Sequence, residues 1–318
     1  MPLVDDSDFV APWWMPGGHL QTIVPSLWRK MPVITERRER LELDDGDFLD
    51  LQWHGRGGER LAVLSHGLEG SANAAYIQGM ARALSAHGWD VLAWNCRGCS
   101  GELNRLPRFY HSGATEDLSA VVEHALREHP AKRVDLVGFS LGGNMTLKYL
   151  GELCDQAPSR LGRAVAFSVP CDLACSSRTL TTAFNREVYM RRFIDSLAGK
   201  IRAKAVRFPE QLNPADLAGV KTFRQFDDRF TAPLHGFRDA EDYWARSSSR
   251  SFLPRIGVPA LLVNAANDPF LGEACYPRDE ARASEWFHLE VPKQGGHVGF
   301  GGLGPNWAEA RAVRFLSA

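Results

Sequence analysis

Val134-Asp135-Leu136-Val137-Gly138-Phe139-Ser140-Leu141-Gly142-Gly143 decides how this chain is read. A short, mostly apolar run enters a Gly-x-Ser-x-Gly turn at 138–142, and an amphipathic stretch from Gly143 to Leu153 leaves it. A strand that turns straight into a helix needs small residues where the two backbones approach, which Gly138, Gly142 and Gly143 supply. Ser140, at the apex, is expected to sit in a strained backbone conformation. Its hydroxyl would lie at a helix N-terminus, where partial positive charge favours a developing anion. The motif alone is short enough to be a glycine-rich turn with an incidental serine, so its neighbours must decide.

Outward from this turn the pattern repeats. Leu61 to Leu64, Trp89 to Trp94, Ala164 to Phe167, Ala260 to Val263 and Phe287 to Val291 are further strand-like apolar runs. Near-continuous apolar runs are typical of strands covered on both faces, hence of a parallel sheet. Amphipathic stretches at Ala74 to His87 and Ala114 to Glu128 alternate with them, which predicts an α/β fold with helices on both faces. The alternation stops between about Cys171 and Arg250, where only helical periodicity and loops are read. One domain over residues 1–318 with a helical cap insertion at 171–250 is the economical reading.

Two later loops carry the partners that a serine nucleophile requires. Asp268 follows the apolar run at 260–263, just before a proline that cannot continue a ladder. His297 lies in Gly295-Gly296-His297-Val298-Gly299, after the run at 287–291. A serine hydroxyl is a poor nucleophile at neutral pH until an imidazole takes its proton. A carboxylate must hold that ring in the right tautomer. The order Ser140, Asp268, His297 is the order of the α/β-hydrolase fold, a mostly parallel twisted sheet, and this is the fold class we assign. The fold also needs two backbone N–H donors for the oxyanion: Leu141, after the nucleophile, and Leu68, in the early loop His66 to Gly70. His66 precedes the serine in the chain and is read as a loop-shaping residue.

Several segments together make the match more specific. They are Gly18-His19-Leu20-Gln21-Thr22, the His66 to Gly70 loop, and Asn95-Cys96-Arg97-Gly98-Cys99-Ser100-Gly101-Glu102. Tyr110 to Gly113 with Asp117, the Ser140 turn and Gly295 to Phe300 complete the set. In this order the chain resembles the YheT-like α/β-hydrolases, a family of cap-bearing serine ester and lipid hydrolases. The resemblance implies a cytoplasmic or membrane-associated carboxylic ester hydrolase favouring medium-chain acyl esters, some of whose relatives act on glycerolipids or transfer acyl groups to alcohols. The family pattern also implies a second carboxylate before the triad acid, where this chain has Asn267.

The bulk properties narrow the partners. The 318 residues carry a formal net charge of −1, so no global attraction to nucleic acid or anionic membrane is expected. The six cysteines show no disulfide-framework spacing, and the acidic, proline-broken N-terminus does not read as a secretory signal. A cytoplasmic setting follows as the expectation. Cys96-x-x-Cys99 has no second pair to complete a zinc site, and no metal or organic cofactor is expected. Arg97 and Asp117 are expected to form a buried ion pair. Between Arg186 and Arg207 basic residues outnumber acidic ones, while Tyr189, Phe193, Leu197, Ile201 and Ala205 repeat at helical spacing. That face would either pack inward over the site, the reading we favour, or dock on a membrane. The tryptophans, Trp13, Trp14, Trp28 and Trp244 among them, are expected to be mostly core.

The expected reaction is hydrolysis of an apolar small-molecule ester, lipid esters included, with short- to medium-chain acyl groups, through an acyl-Ser140 intermediate. An acyltransferase or thioesterase would use the same triad. A non-catalytic ligand receptor of the same fold would usually lack a triad member, and a dehalogenase would carry aspartate at 140.

Overall fold

The computed structural model describes residues 2–4, 6–302 and 306–318. Among the described residues nine strands form one sheet: β1 (Leu3–Val4), β2 (Arg37–Glu42), β3 (Phe48–His54), β4 (Arg60–Ser65), β5 (Asp90–Asn95), β6 (Arg133–Phe139), β7 (Leu161–Phe167), β8 (Ala260–Val263) and β9 (Phe287–Glu290). Their spatial order is β1-β9-β8-β7-β6-β4-β5-β3-β2. Neighbours run parallel from β1 to β5 along that order, and only β3 is antiparallel to the strands on either side.

Side-chain alternation explains the two-faced burial. Ala62 and Leu64 of β4, with Val137 and Phe139 of β6, point to one face, where they meet Ile77, Met80 and Leu84 of the helix Ala75–Ala86 and Ala312 and Leu316 of the helix Trp307–Ser317. Leu61 and Val63, with Val134 and Leu136, point to the other, against Leu118, Val121 and Val122 of the helix Thr115–Glu128 and Met145 and Leu147 of the helix Leu141–Leu153. Each strand thus feeds two cores, which is why its run reads as continuously apolar.

The antiparallel margin was not legible in this way. β2 is Arg-Arg-Glu-Arg-Leu-Glu, largely exposed. Charged side chains suit an edge strand because they discourage pairing with another chain, and they also erase the apolar signal. The helix Gly17–Trp28 likewise stands outside the elements that the sequence predicts.

Between β7 and β8 the described chain contains helices and loops, the longest helix being Arg191–Ala205. Tyr189, Leu197, Ile201 and Ala205 are buried, so the apolar face anticipated there packs inward. The tryptophans divide differently from the expectation that most are core. Trp53, Trp89, Trp94 and Trp244 are buried, but Trp13, Trp14, Trp28 and Trp286 are exposed. The first three belong to the segment between β1 and β2. Among the described residues no helix is long and apolar enough to cross a membrane, and all six cysteines are free.

The loop after β5 is tied to the β2–β3 turn and to the helix Thr115–Glu128 by the anticipated ion pair, extended by two further acids. Arg97 donates to Asp117 at 2.7 and 2.8 Å, and also to Asp45 at 2.7 Å and Asp47 at 3.0 Å. Arg97, Asp47 and Asp117 are almost wholly buried. Removing the cation from such a site leaves desolvated carboxylates unpaired, which costs about 3–5 kcal/mol. Arg97→Met is therefore expected to lower the urea unfolding midpoint by an amount equivalent to about 3–5 kcal/mol, with little change in the slope of the transition. An unchanged midpoint would show that the ring of acids stabilises nothing.

Candidate active site

Ser140 lies at the C-terminal end of β6, immediately before the helix Leu141–Leu153. Its backbone is at φ 52° and ψ −118°, a conformation that costs an L-residue about 1–3 kcal/mol. The surroundings enforce it. Ser140 N–H donates to the Phe167 carbonyl at 2.8 Å and the Ser140 carbonyl accepts from Asn144 N–H at 2.9 Å. A Cβ on Gly138 would come within 2.6 Å of the Gly142 carbonyl oxygen, and one on Gly142 within 2.5 Å of those of Ser65 and His66. The Gly-x-Ser-x-Gly spacing is thus a packing requirement at this corner.

Asp268 and His297, on the loops after β8 and β9, reach the serine. His297 Nε2 is 3.0 Å from Ser140 Oγ, and His297 Nδ1 is 2.9 and 3.2 Å from the Asp268 carboxylate oxygens. The Asp268 side chain has no exposed surface and accepts Phe270 N–H at 2.9 Å. A carboxylate beside Nδ1 favours the tautomer protonated there, which leaves Nε2 free to accept the serine proton. The Phe270 ring stacks on the imidazole with centroids 4.0 Å apart, limiting rotation of the ring and its access to water.

The histidine loop is gripped by a part of the chain to which sequence reasoning gave no role. Thr22 Oγ1 accepts His297 N–H at 2.8 Å and donates to the Gly18 carbonyl at 2.7 Å. Gln21 Oε1 accepts Gly295 N–H at 2.9 Å and Asn267 Nδ2 at 3.0 Å, while its Nε2 donates to the Met15 carbonyl at 2.9 Å. Asn267 Oδ1 in turn accepts Gly296 N–H at 3.0 Å. The amide at 267 therefore uses both a donor and an acceptor, and a carboxylate there would lack the donor for Gln21. Gly18 is required for the close fit, since a Cβ there would lie 1.9 Å from the Asn267 carbonyl oxygen. The available signal was the place of Gln21 and Thr22 in the segment Gly18 to Thr22, one of those that carry the family resemblance.

The early loop is braced from both sides. His66 is fully buried; its Nε2 accepts Cys96 N–H at 3.0 Å and its Nδ1 lies 2.7 Å from the Gly67 carbonyl. Burial pushes its pKa down to about 4, so it is a neutral strut, as its chain position implied. Glu69, at φ 55°, donates its N–H to Tyr110 Oη at 2.7 Å, and its carboxylate accepts from Tyr110, Ser196 and Lys200. Ser196 and Lys200 belong to the helix Arg191–Ala205, which thereby grips the loop carrying Leu68. Leu68 and Leu141 both line the cavity at Ser140. As the first residue of its helix, Leu141 has an N–H with no intrahelical acceptor.

Ser140 opens onto two cavities. The inner one, about 100 Å³, is walled by Leu173, Leu180, Phe193, Leu197, Phe226 and Trp244. At its wall Asp227 accepts hydrogen bonds from Thr231 and Trp244, and burial pushes its carboxyl up to about 7. The outer one, about 490 Å³, is bounded by Ile23, Leu27, Arg29, Val188, Tyr189 and Arg192 among others. Ser140, His297, Leu68, Phe193 and Phe270 border both. Cys96 and Cys99 lie outside these linings, and among the described residues no group of three His, Cys, Asp or Glu side chains is arranged to hold a metal ion.

Residues 63–301 match the family model described as the alpha/beta hydrolase fold. The Escherichia coli protein named "Putative esterase YheT" is 38% identical over 94% of this chain and 90% of its own length. The Mus musculus phospholipase ABHD3 is 29% identical over 94% of this chain and 74% of its own. Among solved structures, the Pyrococcus furiosus esterase Pf2001 superposes with a TM-score of 0.60 at 17% identity, covering 92% of this chain and 97% of that one, a likeness of fold.

The grip of Thr22 on the histidine loop is testable. Thr22→Val keeps the side chain's shape but removes the acceptor for His297 N–H. Because misplacement by about 1 Å can cost 10²-fold in rate, labelling of the serine by a fluorophosphonate should slow by about 10–100-fold. Unchanged labelling would show that the loop is placed without Thr22.

Proposed function

Because the chain belongs to the α/β-hydrolase fold family, in the branch that contains YheT, we propose that it is a serine carboxylic ester hydrolase working through an acyl-Ser140 intermediate. The observation that carries this reading is the unbroken hydrogen-bonded line from Asp268 through His297 to Ser140, ending where an apolar cavity meets a wider cleft.

In this scheme His297 Nε2 takes the Ser140 proton as Oγ attacks the ester carbonyl. The resulting oxyanion is held by the N–H groups of Leu68 and Leu141, each such donor stabilising a transition state by about 2.7–4 kcal/mol. Asp268 stabilises the imidazolium that forms, without itself becoming protonated. His297 then protonates the departing alcohol, leaving the acyl group on Ser140. A water molecule, deprotonated by the same nitrogen, releases the carboxylic acid and restores the serine. Every group used belongs to this chain, the substrate or water.

The two cavities divide the substrate. The inner one, small and walled mainly by apolar side chains, suits a short- to medium-chain acyl group, and the outer one suits the alcohol portion. Residues 171–250 act as a cap, supplying the inner cavity's outer wall. The name of the ABHD3 relative is consistent with a lipid ester as the natural class.

Hydrolysis of p-nitrophenyl esters across acyl lengths, by wild type and Ser140→Ala in parallel, tests this reading. Wild type is expected to show a short- to medium-chain optimum, and Ser140→Ala to fall at least about 10³-fold on every ester. Equal, slow rates for both proteins would contradict the proposal and favour a ligand-binding protein on this fold.

A further inference from the structure

The helix Gly17–Trp28 is polar on the inside and apolar on the outside. Its buried residues are Gln21, Thr22 and Pro25, of which Gln21 and Thr22 hold the histidine loop. Its solvent face carries Leu20, Leu27 and Trp28, which are 42%, 51% and 59% exposed. Helices at a protein surface ordinarily have the opposite polarity, and this inversion is what concealed the helix in the sequence. Exposing several large apolar side chains together is costly unless something covers them.

The exposed face continues across the cleft onto the segment Ala183–Met190. Phe184 is 50% exposed and Val188 37% exposed. His19 bridges the two elements, its ring 4.3 Å from the Phe184 ring and its Nδ1 3.0 Å from Tyr189 Oη. Leu27 and Val188 both line the outer cavity that reaches Ser140 and His297. Leu27 and Val188 therefore carry the edge of the apolar patch to the rim of the cavity mouth. Cationic groups fringe it: Arg192 borders the mouth, Lys30 follows the helix, and both are exposed and without an ion-pair partner among the described residues. Arg186 and Arg191 lie alongside, with Glu187 and Asp195 as acidic neighbours.

We propose that this rim, formed by Leu20, Leu27, Trp28, Phe184 and Val188, docks the protein on an anionic lipid surface with the cavity mouth facing the lipid. Tryptophan, leucine and phenylalanine beside arginine and lysine is the composition that settles at a lipid interface, the apolar groups among acyl chains and the cations beside headgroups. The position of the opening favours lipid over a folded partner, which would seal the entrance to Ser140, whereas a lipid surface presents ester-bearing molecules directly to it. This surface is distinct from the apolar face of the helix Arg191–Ala205, which is buried. The preference for lipid as occupant rests in part on the ester-hydrolase reading, whereas the binding itself is measured without turnover.

Co-sedimentation with vesicles tests it, using phosphatidylcholine alone and phosphatidylcholine mixed with phosphatidylglycerol. The wild-type chain should sediment with the mixed vesicles and less with the neutral ones. Trp28→Ser combined with Phe184→Ser should weaken binding by about tenfold or more, while Trp286→Ser, exposed outside the patch, should bind as wild type. Hydrolysis of a soluble short-chain p-nitrophenyl ester should be unchanged in the double variant, and Ser140→Ala should still bind, which separates failure of docking from failure of catalysis. Should the double variant misfold, brominated phosphatidylcholine in the mixed vesicles supplies a second readout: it should quench wild-type tryptophan fluorescence, and less so for Trp28→Phe. The proposal is overturned if wild type binds neither vesicle, or if Trp286→Ser weakens binding as much as the double variant. It is equally overturned if light scattering shows a wild-type dimer that the double variant converts to monomer, since a second copy would then be the occupant.

Discussion

The backbone of Ser140, held at a positive φ between β6 and the helix that follows, is the constraint on which the site depends. It is sustained by close approach: Gly138 and Gly142 leave no room for a Cβ, and the apolar runs of β4, β6 and β7 fill the sheet around the corner. The strain places Oγ above the C-terminal edge of a parallel sheet, where the loops after β4, β8 and β9 converge. Those loops bring Leu68, Asp268 and His297 to it. An account of this protein therefore starts from packing at one turn, and the chemistry follows from what the loops deliver there.

Delivery is not left to the loops themselves. The histidine loop is rich in glycine and has little shape of its own, yet its N–H groups are engaged by Gln21, Thr22 and Asn267. The early loop is held by Tyr110 beneath and by Ser196 and Lys200 of the covering helix above. Both arrangements use side chains remote in sequence, so the loops carrying Leu68 and His297 are supported by segments near the start of the chain and between β7 and β8. Such support converts a flexible histidine into one at hydrogen-bonding distance from its partner.

The parts legible in the sequence were those with a local signature. The parallel strands announced themselves because both faces are buried, and Ser140, Asp268 and His297 because each follows such a strand in a fixed order. What was hidden had its signal cancelled. β2 carries edge charges in place of an apolar run. The helix Gly17–Trp28 presents apolar residues to solvent and polar ones to the interior, so its hydrophobic pattern points the wrong way. Gln21 and Thr22 act through partners found near the other end of the chain, a relation that periodicity cannot express. Asn267, where the resemblance implies a carboxylate, is an amide bridge between the helix Gly17–Trp28 and the histidine loop.

The central claim is that Ser140 becomes acylated during turnover, and trapping that species tests it most directly. Wild type mixed with a p-nitrophenyl ester, quenched in acid and examined by intact-protein and peptide mass spectrometry should gain the mass of one acyl group on the peptide containing Ser140, with no such gain in Ser140→Ala. Hydrolysis that proceeds with no adduct on Ser140, or with an adduct elsewhere that survives in Ser140→Ala, would contradict the account.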